Sequence, residues 1–212
     1  MLGTGSVALS AAQPEIMCGL ALHFVERKHL GTMSSVTALR QQFIDYARQW
    51  PGEPDVTHFV EMLDEGAHGF VRENHEGHFT GSAWLVSADG ERVLLTHHRK
   101  LGRWLQLGGH ADGDADLSRV ALREAEEESG LSGLSVEPGL FDLDRHRIPA
   151  RGQEPEHWHY DVRYVVRAGA SEVFEVSEES HALAWRSIRE IAADPSSDES
   201  LRRMAGKWLH RS

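Results

Sequence analysis

The sequence predicts an α/β domain that follows a helical extension. Residues 79–87 and 92–96 have the composition of strands, and a Gly-containing turn separates them. Residues 157–166 alternate between two sets of side chains, which is typical of a strand with two different faces. Residues 117–129 carry apolar side chains at three- and four-residue steps, as an amphipathic helix does. Strands that alternate with few helices favour an α/β fold.

The helical extension is predicted from two apolar stripes. A helix over residues 36–50 places Leu39 and Phe43 on one face, and a second helix after residue 55 does the same with Phe59 and Leu63. Two uses fit such faces: packing on the following domain, which is favoured, or the contact of a homodimer.

The chain divides into three parts by composition. Residues 1–33 are predicted to be a disordered or non-native extension, because Gly, Ser and Ala dominate its first half and Met33 stands just before a helix N-cap. Residues 34–78 form the helical segment, and residues 79–212 form the α/β domain. Within that domain, residues 134–144 are predicted to be a strand and residues 145–156 a polar loop.

Charge and composition exclude several classes of protein. The net charge of −11 argues against a protein that coats nucleic acid or binds an anionic membrane. No run approaches the roughly 20 apolar residues that a membrane span needs. The single cysteine, Cys18, leaves no internal disulfide framework and suits the reducing cytoplasm.

An acidic helix end is the strongest chemical signal. Glu124, Glu127 and Glu128 stand at i, i+3 and i+4, so their carboxylates share one helix face just before Gly130. Like charges repel, and carboxylates near a helix C-terminus oppose the helix dipole. A cation would offset both costs, and hard oxygen ligands favour Mg²⁺ or Mn²⁺.

This stretch resembles the Nudix box, G-x5-E-x7-R-E-U-x-E-E-x-G-U, in which U is a bulky aliphatic residue. Gly109 matches the first Gly, and the dense end of the motif is present in register up to Leu131. Ala115 departs from the pattern, since it replaces the first Glu of the box between two Asp residues. Restoring that Glu is expected to leave activity equal or to raise it.

The resemblance implies a fold and a reaction. The fold would be a Nudix-like α/β/α sandwich with a mixed sheet, and the reaction would be hydrolysis of a pyrophosphate bond in a nucleoside diphosphate linked to another moiety. The metal ligands would be Gly109, Glu124, Glu127 and Glu128, and the catalytic set would be Glu127, Glu124 and Arg123. The general base would be a carboxylate of this set or a loop carboxylate, Glu178 or Glu179.

Several polar residues are predicted to bind the substrate. They are Arg99, His110, His157, His159 and Asp161. The row His157-x-His159-x-Asp161 has three interpretations: a transition-metal site, the wall of a substrate cleft, or a solvated face. Such a row would be costly to bury without a ligand or mutual hydrogen bonds.

Two other functions compete with hydrolysis. One is a non-catalytic module that senses a nucleotide, because one box Glu is absent. The other is an enzyme similar to isopentenyl-diphosphate isomerase, which shares the fold and uses histidine ligands, although no cysteine lies near the site here. For the hydrolase, the expected partner is a small nucleotide-type substrate whose identity depends on loops outside the box.

Overall fold

The computed structural model describes residues 1, 35–53, 56–99, 102–176 and 180–211. Helix α1 covers residues 35–49. The remaining helices are α2 (Val56–Asp64), a 3₁₀ helix (Gly66–Phe70), α3 (Leu117–Ser129), α4 (Ile188–Ala193) and α5 (Glu199–Leu209). The strands are β1 (Gly77–Val86), β2 (Arg92–His98), β3 (Trp104–Leu105), β4 (Leu107–His110), β5 (Ser135–Val136), β6 (Asp142–Ile148), β7 (His157–Arg167) and β8 (Ser180–Ser187).

The strands of the described residues form one mixed, eight-stranded sheet. Its centre is a parallel pair, β1 and β7, which runs in register from the Gly77–Trp158 pair to the Val86–Arg167 pair. Strand β4 adds to β1, β6 adds to β7, and β2 carries β8, all antiparallel. The predicted mixed sheet with flanking helices is therefore confirmed.

The central strands are buried on both faces. One face of β1 and β7, which includes Phe79 and Tyr160, packs against α1, α2 and α3. The other face is apolar at one end, where Trp84 and Val165 pack with residues of α4 and α5. Because side chains alternate across a strand, these two clusters lie on opposite sides of the sheet.

The N-terminal helices use their apolar faces inside the chain. Leu39, Phe43 and Phe59 are 0–3% exposed and belong to the same core cluster as Phe79. Phe43 contacts both Phe59 and Phe79 through their rings, at centroid distances of 5.7 and 6.2 Å. The packing interpretation thus accounts for this apolar surface. The division at residues 33 and 78 stays a prediction, and residues 2–33 lie outside the described residues.

One boundary differs from the prediction. The segment predicted as a single strand over 134–144 is two strands, β5 and β6, and β6 continues to Ile148 into the predicted loop. Arg145 and Arg147 made this segment resemble a loop, but their guanidinium groups lie 4.0 and 5.2 Å from the ring centroid of Trp158 on β7. Stacking on an aromatic ring lets a charged residue occupy a strand.

A buried ion network joins the two ends of the described chain. Asp142 is fully buried and accepts hydrogen bonds from Arg163, Arg203 and Lys207 at 2.7–3.1 Å. Lys207 also donates to the hydroxyl of Tyr46 on α1 (2.6 Å). Burial alone would raise the pKa of Asp142, but the neighbouring cations hold it below its usual range. The carboxylate is therefore charged, and it links α1, the sheet and α5.

None of the described helices is long and apolar enough to cross a bilayer.

The core position of α1 makes a stability prediction. Phe43→Ala should lower the free energy of unfolding by about 3–5 kcal/mol, because it leaves a cavity between α1, α2 and β1. Ile44→Ala on the same helix, where the side chain is 39% exposed, should cost less than about 1 kcal/mol. Denaturant titration followed by circular dichroism measures both values. Equally small losses of unfolding free energy for both variants would show that α1 does not contribute to the core.

Candidate active site

Helix α3 is built as the sequence predicts, with a cap at each end. The side chain of Asp116 accepts a hydrogen bond from the backbone N–H of Arg119 (3.2 Å), which begins the helix. Gly130 ends it in the left-handed conformation (φ 67°) that glycine adopts without strain. Val120 and Ala125 point into the core, so the carboxylates of Glu124, Glu127 and Glu128 lie on the other sides of the helix.

The acidic side chains of α3 meet the glycines of β4. The backbone N–H of Gly108 donates to Glu128 Oε1 (2.8 Å). A Cβ at Gly109 would overlap the carboxylate of Glu124, so only glycine permits this approach. Glu127 is exposed one turn further along. The sequence had placed Gly109, Glu124 and Glu128 in one site by motif, and the structure brings them together.

Arg123 ties this arrangement to the loop. Its Nη2 donates to Glu124 Oε1 (2.8 Å) and to the backbone carbonyl of His110 (3.0 Å). A guanidinium in this position neutralises part of the charge on Glu124 and fixes its orientation. This contact fits a role in which Arg123 orients a carboxylate.

The loop between β4 and α3 is held from outside the box. Arg72 makes a two-point contact with the carboxylate of Asp112 (2.8 and 2.9 Å), whose backbone has φ 49°. The N–H of Gly113 donates to the carbonyl of Phe70 (2.7 Å). The segment before β1 thus fixes the loop that leads into the acidic helix.

Ala115 lies in the core rather than in the charge network. It is 5% exposed and clusters with apolar residues that include Leu39 of α1. The ion pairs nearby are made instead by Asp114, which binds Arg119 at two points (2.6 and 2.8 Å). The expectation that Glu at position 115 would leave activity equal or raise it stays a prediction, but the buried position of Ala115 indicates that a carboxylate there would cost stability.

In the row His157, His159 and Asp161, the first and last residues are buried and His159 is half-buried, so the solvated-face interpretation is wrong. His157 is 4% exposed and Asp161 is 2% exposed. Asp161 accepts from Thr80, Ser82, Gln106 and Arg163 at 2.7–3.1 Å. These four hydrogen bonds satisfy the buried carboxylate within the protein. They leave few lone pairs of Asp161 for direct contact with a substrate.

His157 and His159 of β7 form a histidine cluster with His78 of β1 and His110 of β4. His78, His110, His157 and His159 have neighbouring ring centroids 4.9–5.2 Å apart. Burial lowers the pKa of His110 to about 4, and it also lowers the pKa values of His78 and His159, so these rings are neutral at pH 7. His78 was missed from the sequence, although the polar alternation His78-x-Thr80-x-Ser82 marks a face of β1 that matches the face of β7.

Other predicted site residues lie apart from these groups or outside the structure. Arg99 is exposed in the turn after β2 and is not part of the histidine cluster. Glu178 and Glu179 fall in residues 177–179, which lie outside the described residues. The segment just before them packs near α3, since the N–H of Glu175 donates to the carbonyl of Ser129 (2.8 Å).

The position of Ala115 can be tested by substitution. Ala115→Glu should lower the free energy of unfolding by about 2 kcal/mol or more, because it buries a carboxylate without a partner. Ala67→Glu, at an exposed position of the 3₁₀ helix, should change it by about 0.5 kcal/mol or less. Thermal and urea unfolding report both. An Ala115→Glu protein as stable as the parent would mean that the carboxylate finds a partner in the box.

Comparison with known proteins agrees with this geometry. The family model described as NUDIX domain matches residues 77–205. A Mycobacterium tuberculosis protein named "Putative 8-oxo-dGTP diphosphatase 3" is 30% identical over 129 residues, which cover 56% of this chain and 57% of that protein. The chain therefore matches little more than half the length of this curated relative.

Solved structures give further likenesses. A NUDIX-family hydrolase from Clostridium perfringens is 24% identical, with 62% of this chain and 95% of that chain covered and a TM-score of 0.44. An Ap4A hydrolase from C. elegans is 17% identical, with 62% and 96% covered and a TM-score of 0.48. The family model spans well over half of the 212 residues and includes β1, β4, β7 and α3. The chain belongs to the Nudix family.

Proposed function

We propose that this protein is a metal-dependent hydrolase that cleaves a pyrophosphate bond in a nucleoside diphosphate linked to another moiety. One observation carries the proposal: two carboxylates of α3 reach the glycine backbone of β4, where Glu128 accepts from the N–H of Gly108 and Glu124 lies against Gly109, and Glu127 is exposed one turn further along the helix. Membership of the Nudix family supports it.

The donor set fits a hard divalent cation. Glu124, Glu127 and Glu128 would supply carboxylate oxygens, and the backbone of Gly109 would supply a carbonyl oxygen. Mg²⁺ and Mn²⁺ prefer such ligands. The side chain of Glu124 is 17% exposed and pairs with Arg123 at 2.8 Å, so a bound ion would share this poorly solvated carboxylate with the guanidinium. When bound, such an ion would neutralise phosphoryl oxygens and lower the pKa of a bound water.

The protein's own groups would then position the reaction. Arg123 orients Glu124 through one hydrogen bond, and its second hydrogen bond to the His110 carbonyl fixes β4 against α3. Because Gly109 has no side chain, the Glu124 carboxylate can lie directly against the backbone of β4. The general base is proposed to be Glu178 or Glu179, which follow the segment that packs at the end of α3.

The substrate contacts remain part of the proposal. Arg99 is exposed and carries the charge that a phosphate needs. His110 and His159 are half-buried on the face of β4 opposite Glu124, so a role for them in substrate binding stays a prediction, and the buried His157 and Asp161 would act through their neighbours. The name of the M. tuberculosis relative puts 8-oxo-dGTP among the candidate substrates. The single cysteine supports a cytoplasmic location.

The metal requirement is tested with a substrate panel. Phosphate and nucleotide release should be measured for nucleoside triphosphates (8-oxo-dGTP included), nucleotide sugars, dinucleoside polyphosphates and dinucleotide cofactors. Cleavage of at least one is expected with Mg²⁺ or Mn²⁺, and its loss with chelator. Absence of cleavage across the panel, with nucleotide still bound, would favour the sensing module instead.

The role of the acidic face is tested on α3 itself. Glu127→Gln should reduce kcat by about 100-fold or more, because it removes one charge from the cation site while the exposed side chain supports no packing. Glu126→Gln is the matched control: the neighbouring side chain is also exposed but stands at the variable position of the box, and kcat should stay within about twofold. Equal rates for both variants would contradict the assignment.

A further inference from the structure

The histidine cluster lies on the opposite side of β4 from the acidic helix. His110 pairs with Thr80 and Gly109 pairs with Gly81 across the β1–β4 ladder. Side chains of successive strand residues point to opposite faces. Glu124 stands over Gly109, so a ligand held by His110 would be on the other face from one held by Glu124. The cluster is thus a second candidate site, separate from the box.

We propose that His78, His110 and His159, with His157 as a fourth ligand, bind one divalent transition-metal ion of the Zn²⁺ class through their imidazole nitrogens. The ligand atoms of His78, His110 and His159 lie within 4.8 Å of one another. Two nitrogens on one tetrahedral zinc ion stand roughly 3.3 Å apart, since zinc–nitrogen bonds are about 2.0–2.1 Å long. Side-chain shifts of about an ångström would bring the three rings to that separation.

His78 is the strongest evidence for a ligand. It is 1% exposed, and its Nδ1 lies 3.3 Å from the carbonyl oxygen of Asn74, which can only accept. Nδ1 therefore carries the proton and Nε2 presents a lone pair. No described group hydrogen-bonds that buried Nε2. Burying a polar atom without a partner is costly, and a metal ion would use the lone pair.

His157 is oriented in the same manner. Its Nδ1 lies 2.9 Å from the carbonyl oxygen of Pro155, so its Nε2 also presents a lone pair toward the cluster. That atom is 3.3 Å from Nε2 of His159. Two nitrogens bound to one tetrahedral ion stand roughly 3.3 Å apart. A hydrogen bond between the rings has the same length, so the argument depends first on His78.

The charges around the cluster favour a nitrogen-binding cation. Glu154 Oε1 lies 3.9 Å from His157 Nε2 and offers one carboxylate near the group. Arg72 is a competing cation that acts on His78 and His110, and its guanidinium is paired with Asp112. Imidazole ligands select Zn²⁺, Co²⁺, Ni²⁺ or Cu²⁺ over Mg²⁺, which prefers oxygen. An ion here would bind β1, β4 and β7 together.

Direct metal binding is the first test. The untagged full chain, stripped with chelator, should bind one equivalent of Zn²⁺ in calorimetry and one equivalent of Co²⁺ with the visible absorption of a tetrahedral site. Excess Mg²⁺ should displace neither ion, and Zn²⁺ should raise Tm by several degrees. Weak binding that does not saturate would be binding to surface histidines and would overturn the proposal.

Variants locate the ion. His110→Gln and His159→Gln should each weaken Zn²⁺ affinity by about 100-fold or more. His75→Gln is the matched control, since His75 is exposed three residues before His78, and it should bind Zn²⁺ as the parent does. Glu127→Gln should also bind Zn²⁺ normally. Loss of binding in either of the last two variants would place the ion elsewhere.

A measurement on the unmodified protein covers the case in which a buried histidine variant fails to fold. X-ray absorption at the zinc edge, with one equivalent of Zn²⁺ bound, counts imidazole ligands directly. Three or four imidazoles are expected. Two or fewer would overturn the proposal, and hydrolysis in Mg²⁺ would be unaffected by that result, because the acidic site is on the other face of β4.

Discussion

The structure depends on the burial of both faces of the central β1–β7 pair. A polar side chain on these strands cannot reach water, so it must find a partner within the protein. Asp161 and Arg163 meet this requirement with each other and with Thr80, Ser82 and Asp142. At the other end of the same face, where β1 and β7 begin, the polar side chains are histidines, and burial keeps His78 and His159 neutral. The buried polar face therefore explains both the ion network and the histidine cluster.

Strand β4 is the element that serves both candidate sites. Its glycines let the carboxylates of α3 approach the backbone on one face, while His110 joins the cluster on the other. Arg123 connects the two, since one guanidinium nitrogen donates both to Glu124 and to the carbonyl of His110. A change in the position of β4 would alter both groups of side chains, so the packing that fixes this short strand matters to the chemistry on each side.

The segment before the Nudix domain helps to fix β4 and its loop. Helix α1 covers Ala115, and the contacts of Arg72 and Phe70 hold residues 112 and 113. The small side chain at position 115 suits this covering helix, because a longer acidic side chain would meet apolar groups. The departure from the family motif is thus matched by packing from outside the motif, and Asp114 makes the nearby ion pair with Arg119.

The sequence alone determined the acidic helix and its end at Gly130, the strands β1, β2 and β7, and the fold class, because these depend on local periodicity and on a motif read in register. The tertiary structure decided what depends on partners distant in sequence. It buried the His157–Asp161 row, which alternation alone could not distinguish from a solvated face. It also brought His78 to His110 and His159, extended β6 through Arg145 by stacking on Trp158, and placed Ala115 beneath α1. Each of these outcomes results from contact between side chains that the sequence separates by about 13 residues or more, and no local pattern encodes such contacts.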